Sequence, residues 1–255
     1  MYLSVDIGGT KTLIALFSAR GRVLKRLKFH TSRGEKRFIA DLTKALNGFA
    51  KYKVKCVVVA IPGIVQKNYS VTFGNRDWAG IDLYTPIKNL FDCPIYFEND
   101  ANLATLYEGS FYSGKVVFLT FSTGIGGGIV IKGEILPESA KLEPGHKIYK
   151  YHGQKLEWED IAAASALEKY YHVDMATSLR KKEIMQDIAT RMTLGISDVV
   201  KDYNPDVVII GGPMGKIFRR YAKYLPDFGT KLVRPKRPLE SVIYGGYLYA
   251  KKKAE

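Results

Sequence analysis

Residues with the chemistry of a phosphate site stand at the start of the chain, where an apolar segment, 2–7, leads into paired glycines, a threonine and a lysine. Paired glycines permit a tight turn with positive φ, and they let backbone N–H groups approach a ligand with no Cβ between them. Such a run of amides suits phosphate oxygens, and the carboxylate of Asp6 beside it suits a hydrated Mg²⁺. Taken alone, the motif more often marks an ordinary β-hairpin with a Gly-Gly turn.

The same order of strand, glycine turn and strand recurs in the middle of the chain. An apolar run at 115–122 leads into the glycine turn 123–128, and a second apolar run follows at 129–131. This recurrence predicts an internal repeat of one phosphate-binding hairpin. Two copies that face each other across a cleft would hold a polyphosphate from both sides. Chance similarity between two glycine hairpins is the alternative.

Hydrophobic patterning predicts the elements that must position these motifs. In the first half it predicts strands at 2–7, 12–17, 22–29, 55–60 and 94–97 and helices at 35–50, 83–91 and 101–111. In the second half it predicts strands at 115–122, 129–131, 206–210 and 231–233 and helices at 157–171, 177–203, 213–224 and 239–252. Sequential β–α units imply a right-handed, mostly parallel mixed sheet. In the closing helix, Gly245 and Gly246 predict close helix packing.

Composition bounds the class of protein. The 255 residues, 46% hydrophobic and 25% charged, are those of a globular protein of one or two domains. No run of about 18 apolar residues is present, so we expect no membrane span. A strand that starts at residue 2 leads us to expect no secretory signal. The only cysteines, Cys56 and Cys93, lie in apolar contexts, which predicts free thiols and a cytoplasmic location.

The formal net charge of +14 raises the question of a nucleic-acid partner. The lysines and arginines are spread along the chain, with small clusters at 20–28, 180–182, 234–237 and 251–253. No helix-turn-helix, zinc-finger or RNA-binding signature accompanies them. We therefore expect no specific nucleic-acid binding and interpret the charge as a positive field that attracts anionic nucleotides.

Five motifs in order closely resemble the ROK family of repressors, uncharacterised proteins and sugar kinases. They are Asp-Ile-Gly-Gly-Thr-Lys at 6–11, Asn-Asp at 99–100, Ser-Thr-Gly-Ile-Gly-Gly-Gly at 122–128, Glu-Pro-Gly-His at 143–146 and Ile-Gly-Gly at 210–212. The resemblance implies an α/β protein with the two-domain actin-like (ribonuclease H-like) fold. Each domain would have a mixed sheet with a β-meander and βα units, and a cleft would separate the two. We expect a smaller domain at 1–110 plus about 240–255, and a larger one at 111–239.

The resemblance further implies ATP-dependent phosphorylation of the 6-hydroxyl of a hexose. Phosphoryl transfer needs positioning, charge neutralisation and a base for the attacking hydroxyl. Asp100 would be that base, although its position also suits a helix N-cap. Asn99 would bind sugar hydroxyls, because its amide can donate and accept hydrogen bonds. Asp6 would hold Mg²⁺ through water.

Family positions also imply the remaining contacts. The predicted ATP and phosphate contacts are Asp6, Gly8, Gly9, Thr10, Lys11, Thr123, Gly124, Gly211 and Gly212, the last two forming the adenosine loop. The predicted sugar contacts are Gly63, Asn75, Asn99, Asp100, Glu143, His146 and Glu157. A fixed carboxylate accepts well from neighbouring hydroxyls. Taken singly, Glu143 and Glu157 would more often be solvated surface residues and His146 a loop histidine.

One departure from the family concerns metal. Many members follow the Glu-x-Gly-His element with a cysteine-rich zinc motif, whereas the corresponding stretch 151–157 has no cysteine. Structural zinc takes four ligands, commonly thiolates. We therefore expect no structural zinc. Instead of a metal ion, we expect packing by the aromatic-rich helix that follows to hold the loop of His146.

Other activities remain open at this level. A kinase for an amino or N-acetyl hexosamine, a non-catalytic sugar-sensing family member and a pantothenate kinase of the same superfamily are the alternatives. We expect the sensing alternative to fail, because only five residues precede Asp6 and Asp100 is retained. Loop detail decides between hexoses, so neither the sugar nor the phosphoryl donor (ATP, ADP or polyphosphate) follows from the sequence. We expect a homo-oligomer, a dimer or a tetramer.

Overall fold

The computed structural model describes residues 1–65, 70–73, 80–172 and 181–255. Its strands are β1 (Tyr2–Ile7), β2 (Lys11–Phe17), β3 (Val23–His30), β4 (Cys56–Ile61), β5 (Gly63–Val65), β6 (Ser70–Phe73), β7 (Ile81–Asp82), β8 (Ile95–Asn99), β9 (Lys115–Phe121), β10 (Ile125–Ile131), β11 (Glu134–Ile135), β12 (Ile148–Tyr151), β13 (Gln154–Glu157), β14 (Val207–Gly211) and β15 (Lys231–Val233). Its helices are α1 (Glu35–Asn47), α2 (Tyr84–Lys88), α3 (Asp100–Gly109), α4 (Trp158–Ala162), α5 (Ala164–Tyr171), α6 (Lys182–Tyr203), α7 (Gly212–Tyr221) and α8 (Ser241–Ala254).

The chain forms two compact units, each built on a five-stranded mixed sheet. Unit 1 is Met1–Tyr107 with Glu240–Glu255, and unit 2 is Glu108–Leu239. The strand order is β3-β2-β1-β4-β8 in unit 1 and β11-β10-β9-β14-β15 in unit 2. In both units the first three strands form an antiparallel meander and two parallel strands extend the sheet on its other side. The shared order confirms the internal repeat as a repeat of topology.

Strand β1 carries its apolar side chains on one face of the unit 1 sheet. Leu3, Val5 and Ile7 are fully buried in the core that α1 covers. Because side chains alternate along a strand, Tyr2, Ser4 and Asp6 share the opposite face. Tyr2 packs there against Tyr247 of α8. The carboxylate of Asp6 is thus placed near the end of the strand, on the face that α8 covers.

The close packing predicted for the closing helix is confirmed. A Cβ at Gly245 would overlap the carbonyl of Leu103 in α3, and one at Gly246 would overlap the side chain of Ser4 in β1. Both glycines therefore let α8 lie directly on its neighbours. Cys56 is buried in the same region, Cys93 is half-buried, and both are free thiols as predicted.

The predicted helix 157–171 is wrong at two places. Glu157 belongs to β13, and the helix breaks at Ala163, whose backbone is extended (φ −62°, ψ 152°). No glycine or proline marks this break. Instead the backbone N–H of Ser165 donates to the Ser122 carbonyl (3.1 Å) and its hydroxyl donates to the Thr123 carbonyl (2.6 Å). A tertiary contact with the second glycine turn has overridden helix propensity here.

Two further local predictions also need correction. The glycine turn predicted at 123–128 is shorter, because Gly126, Gly127 and Gly128 pair with β9 as part of β10. The hairpin of β12 and β13 was not predicted. It closes through His152 and Gly153, which both have positive φ (47° and 80°) and suit a two-residue turn. Among the described residues, no helix combines the length and the apolar character that a membrane span requires.

We predict that Gly245→Ala destabilises unit 1, although alanine is the better helix former. The added methyl group would meet the carbonyl of Leu103, and overpacking of this kind costs about 1–3 kcal/mol of unfolding free energy. Chemical denaturation measures the change. Gly34→Ala is the control, since no atom lies within 4 Å of the Cβ position and only a weakened N-cap, about 1 kcal/mol, is expected. Equal stability of Gly245→Ala and the wild type would contradict the packing role.

Candidate functional site

Two predicted carboxylates of unit 1 lie within electrostatic reach of each other. Strands β1, β4 and β8 are parallel neighbours, so Asp6, near the end of β1, and Asp100, directly after β8, belong to the same edge of the sheet. Burial raises the pKa of Asp6, and the negative charge of Asp100 raises it further, to about 7, with Lys28 acting in the opposite direction. The two side chains therefore form one acidic centre.

This acidic centre fits a divalent cation by the chemistry of its donors. A desolvated carboxylate beside a second one is half-protonated near neutral pH, so it gains strongly from a positive charge nearby. Carboxylate oxygens and water are the ligands that Mg²⁺ takes in phosphoryl-transfer sites. Asp6 and Asp100 are consequently the described residues of unit 1 that suit such an ion.

The first glycine turn is a closed hairpin turn. The Gly8 N–H donates to the Lys11 carbonyl (3.1 Å), and the Thr31 hydroxyl donates to the Gly8 carbonyl (2.8 Å). Neither Gly8 nor Gly9 has positive φ, so backbone conformation does not require glycine here. At Gly8 the available space favours glycine, because a Cβ there would lie 3.0 Å from the Lys11 carbonyl oxygen. The turn therefore uses the Gly8 amide itself, and Thr10 and Lys11 form its exposed tip.

The junction of β8 and α3 separates the two roles that the sequence left open at Asp100. Asn99 caps the helix, because its Oδ1 accepts from the backbone N–H of Ala101 (2.9 Å) and of Asn102 (3.3 Å). The Asp100 carboxylate accepts from the adjacent Ala101 N–H (2.7 Å). Glu98 supports the junction by accepting from the Asn99 N–H and from the Asn102 amide, each at 2.9 Å.

In unit 2 the second glycine turn lies against a glutamate that the sequence analysis did not include in the site. The Ile125 N–H donates to Oε2 of Glu159 (3.3 Å), and the same oxygen would lie 2.5 Å from a Cβ at Gly124. Thr123 is exposed at the tip of the turn, and its carbonyl accepts the Ser165 hydroxyl. The carboxylate of Glu159 is thus part of the surroundings of the predicted phosphate contacts.

The predicted sugar residues of unit 2 form one polar cluster. His146 ends a 3₁₀ turn, Pro144–His146, that follows Glu143, and its Nδ1 lies 2.9 Å from Oε2 of Glu157 at the end of β13. The hydrogen bond to Glu157 raises the pKa of His146, burial opposes this increase, and the charges of Glu159, Glu157 and Glu143 add to it. Since the His146 and Glu157 side chains are 59% and 42% exposed, a ligand can reach both.

Sequence reasoning found three members of this cluster and missed Glu159. Glu159 lies two residues after Glu157, on the other side of Trp158, at the start of a helix. Glu157 was predicted as a sugar contact, whereas nothing in the local sequence singled out Glu159. The side chains of His146, Glu157 and Glu159 place one ligand atom each within 4.8 Å of one another.

This donor set does not match structural zinc. Structural zinc sites are closed by four ligands, commonly thiolates, whereas these are three exposed or half-buried nitrogen and oxygen donors with no sulfur. The expected lack of structural zinc stays a prediction. We predict that protein purified without added metal contains much less than one zinc per chain by elemental analysis. Stoichiometric zinc that survives dialysis against a chelator would contradict it.

The Gly211-Gly212 pair is required by packing within unit 2. Gly212 has positive φ (68°), and a Cβ there would overlap the Phe121 carbonyl. A Cβ at Gly211 would overlap the ring of Phe118. The missing side chains therefore bring the start of α7 against β9, which is a structural reason for glycine beside the adenosine role that the resemblance implies.

Two predicted sugar residues belong to the segment around β5 and β6. Gly63 begins β5, where it pairs with Phe73 of β6. Asn75 lies outside the described residues. The structure therefore places Gly63 in a strand and leaves the role of Asn75 as a prediction.

A separate cavity of about 440 Å³ lies beside β15 and α7 and contains none of the predicted site residues. Its basic lining residues are Arg219, Lys231, Arg234 and Lys236. The sequence analysis noted only part of this cluster, at 234–237, as general positive charge.

Comparison with known proteins decides the family. A family model described as "ROK family" matches residues 2–238. The chain belongs to the ROK family. A fructokinase of Lactococcus lactis subsp. cremoris is 30% identical over 169 residues, and a xylose repressor of Bacillus spizizenii is 25% identical over 178 residues. These alignments cover 63% and 60% of this chain but only 57% and 46% of the relatives, so the chain spans about half of their length.

A solved ROK structure establishes the fold. The glucokinase from Streptomyces griseus, determined in complex with glucose and AMPPNP, superposes with a TM-score of 0.77 at 22% identity. The superposition covers 98% of this chain and 99% of that chain. ROK proteins include sugar kinases and repressors, and the two-domain actin-like fold predicted from the motifs is confirmed.

We predict that Asp6→Asn stabilises the folded protein at alkaline pH. The unfolded chain releases the Asp6 proton near pH 3.8, whereas the folded protein holds it to about pH 7. Stability therefore falls as the pH rises between these values, and the full cost is present above about pH 7. Removing the charge should raise the unfolding free energy at pH 8 by on the order of 1–4 kcal/mol, and by far less at pH 4.

Urea unfolding at both pH values, with a chelator present, tests this expectation. Asp92→Asn is the matched control, because the Asp92 side chain of the same unit is fully exposed and should show no such pH-dependent difference. Loss of stability in Asp6→Asn at pH 8 would contradict the burial of a charged carboxylate at this position.

Proposed function

We propose that this ROK protein is an ATP-dependent kinase for the 6-hydroxyl of a hexose. The observation that carries the proposal is the Asp6–Asp100 centre, in which burial and the charge of Asp100, at the start of α3, raise the pKa of Asp6. A sugar-binding protein without catalysis needs neither a base nor a cation site. The glucokinase complex with glucose and AMPPNP, and the fructokinase, support the class of reaction.

In this proposal Asp100 accepts the proton of the attacking hydroxyl as the bond to the phosphoryl group forms. Asn99 can serve the sugar mainly through its Nδ2 donor, since its Oδ1 is occupied by the two amides of α3. Bound Mg²⁺ would neutralise charge on the nucleotide phosphates. Asp6 would hold that ion, and its raised pKa makes the ion's affinity increase with pH up to about 7.

The His146 cluster would recognise the sugar ring. Glu143 and Glu157 are acceptors for neighbouring hydroxyls, and a protonated His146, favoured by the surrounding acids, is a donor. Such a mixed set distinguishes hydroxyl positions because an unmatched partner leaves a polar group unsatisfied. The phosphate contacts Gly8, Gly9, Thr10, Lys11, Thr123, Gly124, Gly211 and Gly212 remain part of the proposal.

We predict that Asp100→Asn lowers kcat by a factor on the order of 10²–10⁴ and retains sugar binding. Asparagine keeps the size of the side chain and can still accept from the Ala101 N–H, so α3 should stay folded. A coupled assay for ADP release measures turnover, and calorimetry measures sugar binding. Asp92→Asn serves again as the exposed control. Turnover within a few-fold of the wild type would remove Asp100 from the role of base.

A substrate panel tests the function itself. Purified protein is offered glucose, mannose, glucosamine, N-acetylglucosamine, N-acetylmannosamine, fructose and pantothenate, each with ATP, ADP or polyphosphate. We expect turnover of a hexose with ATP and Mg²⁺. Turnover of a hexosamine alone would favour that alternative, and sugar binding without any turnover would favour a sensing role. A cytoplasmic location and a dimer or tetramer stay predictions.

A further inference from the structure

The hairpin of β12 and β13 joins the two side chains at the centre of the sugar cluster. His146 lies two residues before β12, and Glu157 is the last residue of β13. Because Ile148 pairs with Glu157, the two open ends of the hairpin meet where the His146–Glu157 hydrogen bond forms. The geometry of that bond therefore depends on how the hairpin is held.

A hairpin of four residue pairs has too little core to hold its own shape. Its side chains alternate between two environments. Ile148 is 64% exposed and Lys150 is exposed, whereas Tyr149 and Tyr151 are half-buried against the core of unit 2. The hairpin thus lies with its two tyrosines against the body of the unit.

The surface that receives these tyrosines is one face of α6. Its residues recur at helical spacing and are named here the α6 platform: Asp187, Arg191, Gly195, Asp198 and Asp202. Residues spaced by three and four positions share a helix face. Apolar residues of the same helix, such as Ile188 and Met192, are buried in the core.

The first contact of the platform is with the start of the hairpin. Oδ2 of Asp198 accepts from the Tyr149 hydroxyl (2.6 Å) and lies 2.9 Å from Nζ of Lys147, the residue after His146. Nζ of Lys147 also lies 3.4 Å from Asp202. Although burial opposes it, hydrogen bonds from Tyr149 and Lys147 lower the pKa of Asp198, so this carboxylate stays charged at neutral pH.

The second contact is with the tip of the hairpin and with α5. Arg191 is 4% exposed, and its guanidinium lies 4.1 Å from the ring centroid of Tyr170 and 5.1 Å from that of Tyr151. Its Nε donates to Asp187 (2.7 Å), and Asp187 also accepts from the hydroxyls of Tyr151 and Tyr171. Arginine suits this position because its planar guanidinium can stack on aromatic rings while its N–H groups donate hydrogen bonds in the plane of the guanidinium.

The third contact fixes the residue that follows Glu157. The indole of Trp158 is fully buried against Gly195, and its Nε1 donates to the Arg191 carbonyl (3.0 Å). The Trp158 backbone N–H donates to the Lys147 carbonyl (2.9 Å). Both strands of the hairpin are therefore tied to the same face of α6, directly beside His146 and Glu157.

We propose that the α6 platform, acting through Tyr149, Lys147 and Trp158, positions His146 and Glu157 for sugar recognition. The platform residues touch no reacting atom and are positioning residues. Nη2 of Arg191 has no hydrogen-bond partner among the described residues. A buried arginine that lacks part of its partners contributes little to stability. Its value here lies in fixing one arrangement of hairpin, α5 and α6. The proposal rests on the sugar kinase function proposed above.

Tyr149→Phe is the central test, because it removes one hydroxyl and leaves the ring packing. We expect the sugar KM to rise roughly tenfold or more, the size expected for a lost hydrogen bond to a charged group, with the ATP KM unchanged. Asp198→Asn keeps an acceptor for Tyr149 but removes the charge facing Lys147, so it should give a smaller increase. Arg191→Lys, which keeps the charge and loses the stacking, tests the second contact.

Tyr224→Phe is the matched control. It makes the same change in the same unit, and the Tyr224 hydroxyl has no hydrogen-bond partner in the part of the chain that the structure describes. Sugar and ATP KM values should both match the wild type. If Tyr149→Phe leaves the sugar KM unchanged, or raises the sugar and ATP KM values equally, the positioning role is overturned.

A titration of the His146 ring by NMR gives a readout that needs no turnover. Its signals are assigned among the four histidines with His146→Gln. The Glu157 hydrogen bond holds the pKa of His146 above its usual 6.5, so release of the hairpin in Tyr149→Phe should move it back toward that value. If the wild type turns over no sugar but this shift is seen, the proposed function fails and the positioning of His146 stands. An unchanged His146 pKa in Tyr149→Phe overturns the positioning itself.

Discussion

The burial of Trp158 is the interaction on which the polar cluster of unit 2 depends. Its ring packs edge-on against Phe121 (5.3 Å between centroids) and lies flush on Gly195 of α6. Its indole N–H is satisfied by the Arg191 carbonyl, so the whole side chain is buried without an unpaired polar atom. Because the chain neighbours of Trp158 are Glu157 and Leu156 on one side and Glu159 on the other, fixing this ring fixes two carboxylates. Their positions beside His146 follow from packing before any ligand is present.

The charged groups around His146 in unit 2 and the Asp6–Asp100 pair in unit 1 differ in their effect on the free energy of unfolding. In unit 2 the acids around His146 are partly exposed, so solvent screens them and their effect on stability is small. In unit 1, Asp6 is desolvated beside another carboxylate, which opposes folding at neutral pH. A cation or a bound proton relieves that cost. This electrostatic cost therefore falls where a metal would bind, as expected when a site is arranged for a charged ligand and not for stability.

Regular patterns in the sequence predicted the main strands, most helices and the repeat, because buried strands and amphipathic helices have their own periodicity. Contacts between distant segments could not be predicted in this way. The break at Ala163 depends on Ser165 meeting the second glycine turn, and no local residue marks it. The strands β12 and β13 have four residues each, so their alternation is too short to distinguish from a loop. Glu159 was missed because its partner, the Ile125 amide, is 34 residues away in the chain.

The repeated topology accounts for why the polar cluster of His146 belongs to unit 2. In unit 1 the connection from the third strand to the fourth consists essentially of α1 (Glu35–Asn47). The equivalent connection in unit 2 runs from β11 to β14, and it contains the 3₁₀ turn of His146, the β12–β13 hairpin, α4, α5 and α6. The two sheets are alike, so the added chain needs stabilising contacts that unit 1 does not need. The α6 platform meets that requirement, since the helix that covers the sheet on one face presents its polar face to the hairpin that carries Glu157.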